Sequence, residues 1–181
     1  MKLVQCPISG PIILEPKVFG DDRGFFLESW NADSFRAAGL DMHFVQDNHS
    51  RSNRGVVRGL HYQSPEAQGK LVRVVTGRVW DVVVDLRRSS ISFGSWFGIE
   101  LSGDNKRMLW VPEGFAHGFL TLEDGTDLLY KCTVPYDPTH EHILAWNDPQ
   151  VAIAWPLENL EPLLSDKDRQ GLALSDAEVF A

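Results

Sequence analysis

The chain has 181 residues, 43% of them hydrophobic and 23% charged, with a formal net charge of −8. These values suit one soluble globular domain long enough to bury a core. The acidic balance argues against nucleic acid, whose affinity rests on cations meeting phosphates, and no apolar run approaches the ~20 residues of a membrane span. The opening "MKLVQCPISGPIILEPK" is interrupted by Gln5, Pro7, Gly10 and Pro11 before any apolar run matures. It does not read as a signal peptide, so the expected compartment is the cytoplasm.

In chain order, extended runs rich in Val, Ile, Phe, Trp and Tyr are expected over 11–19, 24–30, 43–48, 55–63, 70–76, 78–86, 95–102, 107–111, 116–122, 127–133, 142–145 and 151–154. "NADSFRAAGL" reads as a short helix capped by Asn31 or Asp33. "SDKDRQGL" places Asp168 three residues after Ser165, the spacing of a capping box. "TGRV" (76–79) and "EDGTD" (123–127) are predicted hairpin turns. Many short strands with few helices imply an all-β fold, a sandwich or a closed barrel. In "VWDVVVDL", Trp80, Val82, Val84 and Leu86 share one face, whereas Val79, Asp81, Val83 and Asp85 share the other. The second face is half acidic, which suits solvent or a polar cavity of the kind found in cupin-type jelly rolls. With no repeat or linker in view, residues 1–181 are expected to form a single domain. Cys6 and Cys132 have no C-x-x-C spacing and read as two reduced, buried thiols.

The cations are not spread evenly. Arg51, Arg54, Arg58, Lys70 and Arg73 fall in one segment, which allows an anionic small molecule despite the overall charge. Within it, "VVRGLHYQSPEAQGKLVRVV" (56–75) sets His61 between Arg58 and Lys70. A lone histidine is more often a packed structural residue than a base. A carboxylate on one ring nitrogen would fix its tautomer and make it a base. Strict alternation sends Arg58 and His61 to opposite faces, so both line one cavity only if the strand is bulged, and Gly59 is the expected place. The metal-binding pattern of two histidines one residue apart is broken here as His61-Tyr62-Gln63. His140 and His142 alternate correctly but lie beside a proline-containing loop with no third ligand nearby, so no metal is expected.

Three further stretches carry polar groups among apolar ones. "WVPEGFAHGFLTL" puts Phe115, His117 and Phe119 on one strand face, with His117 either packed or donating at a cavity mouth. In "DLLYKC", Leu128, Tyr130 and Cys132 alternate onto one face, where a buried tyrosine ordinarily finds a structural partner. "FGDDRGFFLESW" and "VQDNHSRSNRG" combine Arg23, Glu28, Gln46 and Asn48 with Phe19, Phe25, Phe26 and Trp30, a mixture that suits a nucleotide or a charged surface over an aromatic core.

Together these stretches resemble the dTDP-4-dehydrorhamnose 3,5-epimerase family of the cupin superfamily. The resemblance runs in order through "FGDDRGFFLESW", "FVQDNHSRSNRGVVRGLHYQSPEAQGKLVRV", "GRVWDVVVDLRRSSISFGSW", "WVPEGFAHGFLTL", "YKCTVPYDPTHEHILAWNDP" and "LLSDKD", nearly the whole chain. It implies a cupin-type jelly roll that inverts C3 and C5 of dTDP-4-dehydro-6-deoxy-D-glucose without metal or redox cofactor. It also implies His61 as base, Asp168 as the carboxylate orienting it, Tyr130 as acid and Lys70 as the cation at the enolate oxygen. Arg23, Phe26, Glu28, Gln46, Asp47, Asn48, Arg58, Lys70, His117, Glu141 and Lys167 match positions that hold the nucleotide sugar, Phe26 reaching the thymine from a neighbouring subunit. A homodimer with exchanged N-terminal strands is implied as well. The alternatives left open are a relative inverting only C3 or only C5, a metal-dependent cupin enzyme, and a non-catalytic sugar-nucleotide binder.

Overall fold

A computed structural model describes residues 1–181. Its strands in chain order are β1 (Lys2–Gln5), β2 (Ile12–Glu15), β3 (Val18–Asp21), β4 (Gly24–Leu27), β5 (Gln46–Ser52), β6 (Val57–Gln63), β7 (Lys70–Thr76), β8 (Arg78–Asp85), β9 (Trp96–Ser102), β10 (Met108–Val111), β11 (Phe115–Thr121), β12 (Thr126–Cys132) and β13 (Glu141–Ile143). One helix, α1 (Ala32–Ala37), follows β4, and a 3₁₀ turn spans Asp168–Gln170. Six strands form one sheet in the order β1-β2-β10-β7-β12-β5, and five form another in the order β13-β6-β11-β8-β9. All neighbours are antiparallel, so the expected all-β sandwich is present.

The alternation read in β8 sets the layers. Val79 and Val83 enter the core between the sheets with Val72, Val74, Leu109, Phe119 and Leu128. Val82, Val84 and Leu86 face the other way and are covered by the C-terminal segment through Val151, Leu174 and Phe180. A third cluster on the outer face of the six-stranded sheet packs Phe35 of α1 against Leu14, Leu71, Met108 and Trp110. Asn31 caps α1, its side chain accepting from the backbone N–H groups of Asp33 and Ser34 at 3.0 Å each. Asp81 and Asp85, the acidic half of the inward face, are both fully buried.

Several expected elements differ. Gly77 and Gly125 do turn the chain at φ 73° and 68°, but neither turn closes a hairpin. β7 pairs with β10 and β12 while β8 pairs with β11 and β9, so both turns are corners where the chain crosses between sheets. Turn chemistry is local, whereas the choice of partner strand is not. The run expected over 11–19 is divided between β2 and β3, with Pro16 in the gap, and β1 was not among the expected runs. The strand expected over 43–48 is displaced to Gln46–Ser52. Residues 151–154 form no strand: Val151 and Ile153 press on the sheet and mimic a strand pattern, while Ala152 takes φ 51° and donates its N–H to Asp148 O.

β3 and β4 stand apart as a two-stranded hairpin. It exposes Phe19 (52%), Phe25 (58%) and Phe26 (68%), more apolar surface than a short hairpin keeps without a partner.

Candidate active site

The site begins with an irregularity in β6. Opposite β11, His61 pairs with His117 and Arg58 with Phe119, so three steps on β6 match two on β11. That extra residue is the bulge expected at Gly59, and it turns Arg58 and His61 into one pocket. Gly59 takes φ 125°, and a Cβ there would lie 2.6 Å from Cα of Gly118. Only glycine fits both the conformation and the approach.

The pocket lies between the sheets, opens to solvent and has a cavity volume of about 150 Å³. Arg58, His61 and Gln63 come to it from β6, His117 and Phe119 from β11, and Glu141 from β13, all in the five-stranded sheet. Lys70 and Tyr130 come from β7 and β12 in the facing sheet. Imidazole and phenol thus occupy opposite walls.

His61 Nε2 lies 2.6 Å from Asp168 Oδ1. A carboxylate only accepts, so Nε2 carries the ring proton and Nδ1 is left as the basic nitrogen. Asp168 Oδ1 also accepts from the backbone N–H of Gly59 at 3.2 Å, and Oδ2 accepts the Ser165 hydroxyl at 2.6 Å. Burial raises the Asp168 carboxyl, but the hydrogen bonds from His61, Ser165 and Gly59 outweigh it and hold the group below the usual carboxylate range. A second pair lies beside it: His117 Nε2 donates to both oxygens of fully buried Asp81, at 2.9 and 3.0 Å.

The cations of the pocket are sparsely held. Arg58 Nε donates to Ser52 Oγ at 3.0 Å, and Lys70 Nζ donates to the His61 carbonyl at 3.3 Å. Burial pushes the Lys70 ammonium below its ordinary range, a shift that an arriving anion would reverse. Burial pushes the Tyr130 phenol upward, which keeps it protonated.

At the rim, Tyr136 OH donates to Glu141 Oε2 at 2.7 Å, and Lys167 Nζ donates to the same oxygen. Burial raises Glu141, yet the bonds from Lys167 and Tyr136 leave it below the usual range. Tyr136 was missed in the sequence, where "YDPTHEHI" shows only a proline-containing loop. Its backbone N–H donates to Gln46 Oε1 at 2.8 Å, and the next N–H, of Asp137, donates to Gln63 Oε1 at 3.1 Å. Gln46 Nε2 donates to Asn48 Oδ1, and Asn48 Nδ2 approaches Cys132 Sγ, so these two amides frame the pocket rather than lining it.

The remaining expected residues lie elsewhere. The Asp47 side chain points to the opposite face of β5 and pairs with Lys131 at 2.9 Å. Arg23 and Phe26 project from the β3–β4 hairpin, Arg23 pairing with Asp21. Glu28 follows β4 beside a groove shared with α1. None of these three lines the pocket of its own chain.

Comparison with known proteins decides what this arrangement belongs to. The profile of the dTDP-4-dehydrorhamnose 3,5-epimerase family matches residues 5–176. The chain belongs to the dTDP-4-dehydrorhamnose 3,5-epimerase family. It is 56% identical to a dTDP-4-dehydrorhamnose 3,5-epimerase of Pseudomonas aeruginosa over 181 residues, covering 99% of each chain. It is 53% identical to that of Shigella flexneri, again over 99% of each. Among solved structures, the dTDP-6-deoxy-D-glucose-3,5-epimerase of Legionella pneumophila in complex with dTDP-4-keto-L-rhamnose superposes with a TM-score of 0.94 at 48% identity, covering 98% of this chain and 94% of that one. The sandwich is therefore the cupin-like one of this epimerase family.

Proposed function

We propose that this chain, as a single cupin-type domain, epimerises C3 and C5 of dTDP-4-dehydro-6-deoxy-D-glucose to give dTDP-4-dehydro-L-rhamnose, in dTDP-L-rhamnose biosynthesis. The observation that carries the reading is the carboxylate-held His61 on one wall of the pocket with the protonated Tyr130 on the other. Both inverted carbons flank the C4 ketone. His61 takes a C–H proton; the electron pair moves into a carbon–carbon double bond with C4, and the ketone oxygen becomes an enolate. Lys70 and Arg58 offer positive charge to that oxygen. Tyr130 returns a proton from the far face, the enolate collapses to the ketone, and the carbon is inverted. His61 then releases its proton to solvent and Tyr130 regains one from it through the open pocket, and the same pair acts on the second carbon.

Glu141, Lys167, His117, Gln46 and Asn48 surround or frame this pocket and are proposed to bind or position the nucleotide sugar, while Asp47, whose side chain faces away, is proposed to contribute only through its backbone between Gln46 and Asn48. Arg23, Phe26 and Glu28 are proposed to act on the pocket of a second copy in a homodimer. The exposed phenylalanines of the β3–β4 hairpin support that role. β1 and β2 pair within their own sheet, and the hairpin that pairs with neither sheet is proposed as the N-terminal piece that exchanges.

The test is incubation with dTDP-4-dehydro-6-deoxy-D-glucose in D₂O. Deuterium at both C3 and C5 of the recovered sugar is the expected result. Label at one carbon alone would make the chain a monoepimerase, and label at neither would reject the reading.

A further inference from the structure

We propose that Ser165, which lies outside the pocket, is a positioning residue for the proton transfer, an inference that rests on the epimerase reading above. The residues Ser165 and Asp168 have the spacing of a capping box, in which an acidic side chain ordinarily reaches back to its own turn. Here the two halves of the motif are used differently. The Ser165 Oγ accepts the backbone N–H of Asp168 at 3.1 Å, as a cap should. Asp168 does not return the bond to the Ser165 backbone. Its Oδ2 accepts a hydrogen bond from the Ser165 hydroxyl at 2.6 Å, and its Oδ1 accepts from His61 and Gly59 on β6.

This closes a ring of hydrogen bonds around a carboxylate that is only 5% exposed. The Ser165 carbonyl also accepts from Arg169 N at 3.1 Å, so the serine is itself held by the turn it caps. With one oxygen fixed by the serine, rotation about the Asp168 Cβ–Cγ bond is blocked and the other stays aimed at Nε2 of His61. The serine also draws negative charge toward Oδ2, moderating how tightly Oδ1 grips the ring proton. Without the hydroxyl, Oδ2 is left buried without that donor, the carboxylate is held through Oδ1 alone, and the ionised form loses a stabilising bond.

The experiment compares the parent chain, Ser165→Ala and Ser165→Thr in steady-state turnover and D₂O exchange across pH. In Ser165→Ala, kcat is expected to fall about 10-fold, the loss of one hydrogen bond to a buried charge, with KM changed less than about twofold. The acidic limb of its pH profile moves to higher pH, because the carboxylate protonates more readily. Threonine restores the hydroxyl and with it both the rate and the limb. Parent-like kcat and pH profile in Ser165→Ala, or a loss that threonine does not restore, would overturn the proposal. If Ser165→Ala loses its native melting transition, Ser165→Cys keeps a weak donor in the same place and is expected to turn over between the parent and His61→Asn; a parent-level rate there overturns it equally. Absence of exchange in the parent chain removes the epimerase reading and this inference with it, whereas exchange in the parent with an unchanged alanine variant removes this inference alone.

Discussion

Replacing Gly59 with alanine tests whether the bulge in β6 builds the site. Gly59 takes φ 125°, and an alanine Cβ there would meet Cα of Gly118 at 2.6 Å and the His117 carbonyl oxygen at 2.9 Å. Both are backbone atoms of β11 and cannot swing aside as a side-chain tip does. The conformation costs an L-residue about 1–3 kcal/mol, and overpacking against fixed atoms adds about 1–3 kcal/mol. A total of about 4 kcal/mol lowers the melting midpoint of a chain this long by roughly 10 °C. The Gly59 N–H also bonds Asp168 Oδ1, so a displaced segment draws the carboxylate and His61 out of register, and a shift near 1 Å costs about 100-fold in turnover. Gly24→Ala is the control, because Gly24 has φ 129° with nothing within 4 Å of the added Cβ. Thermal unfolding and D₂O exchange, run on both variants, separate conformation from contact. A Gly59→Ala protein that melts with Gly24→Ala and turns over like the parent would refute the argument that the bulge positions the base.

Asp168→Asn keeps the shape of the side chain but removes the ionised acceptor from His61 Nε2. Deuterium incorporation at both carbons is expected to drop about 10³-fold, and parent-like exchange would count against the dyad. Lys70→Met fills the same buried space without a charge: turnover is expected to fall about 100-fold while stability holds or rises. Because the folded state lowers the Lys70 pKa from 10.5, the unfolded chain holds more protons just below that pH and stability rises with pH there. Urea titrations should show that this rise is lost in Lys70→Met. Asp85 gives the same upward slope at acid pH for a different reason, because hydrogen bonds favour its charged form. Burial raises its pKa, but the side chains of Arg87, Ser90 and Ser92 and the Arg87 N–H bring it to about 2 from 3.8. Its contribution, about 2 kcal/mol, is present above pH ~4 and disappears as the pH falls toward 2. The stability gap between the parent and Asp85→Asn should close over that window, and a gap independent of pH would refute the assignment.

Most of the strands, the alternating faces of β8, a cap for α1 at Asn31 or Asp33 and the glycine that breaks β6 were legible in the chain itself, because each depends on residue type and on neighbours a few positions away. The opposition of Arg58 and His61 under strict alternation is itself enough to locate the bulge. What folding alone decided was partnership. Gly77 and Gly125 turn the chain in the same way whether the next strand pairs with the last or crosses to the other sheet, and here it crosses. Asp168 reaches His61 across more than a hundred residues, and Tyr136 enters the site where Gln46 holds its backbone N–H and Gln63 that of Asp137. The serine of a plain capping motif acquires a chemical neighbour only once the turn packs beneath β6. Local propensity is written in short-range sterics and hydrogen bonding, whereas the meeting of distant side chains depends on which faces bury together.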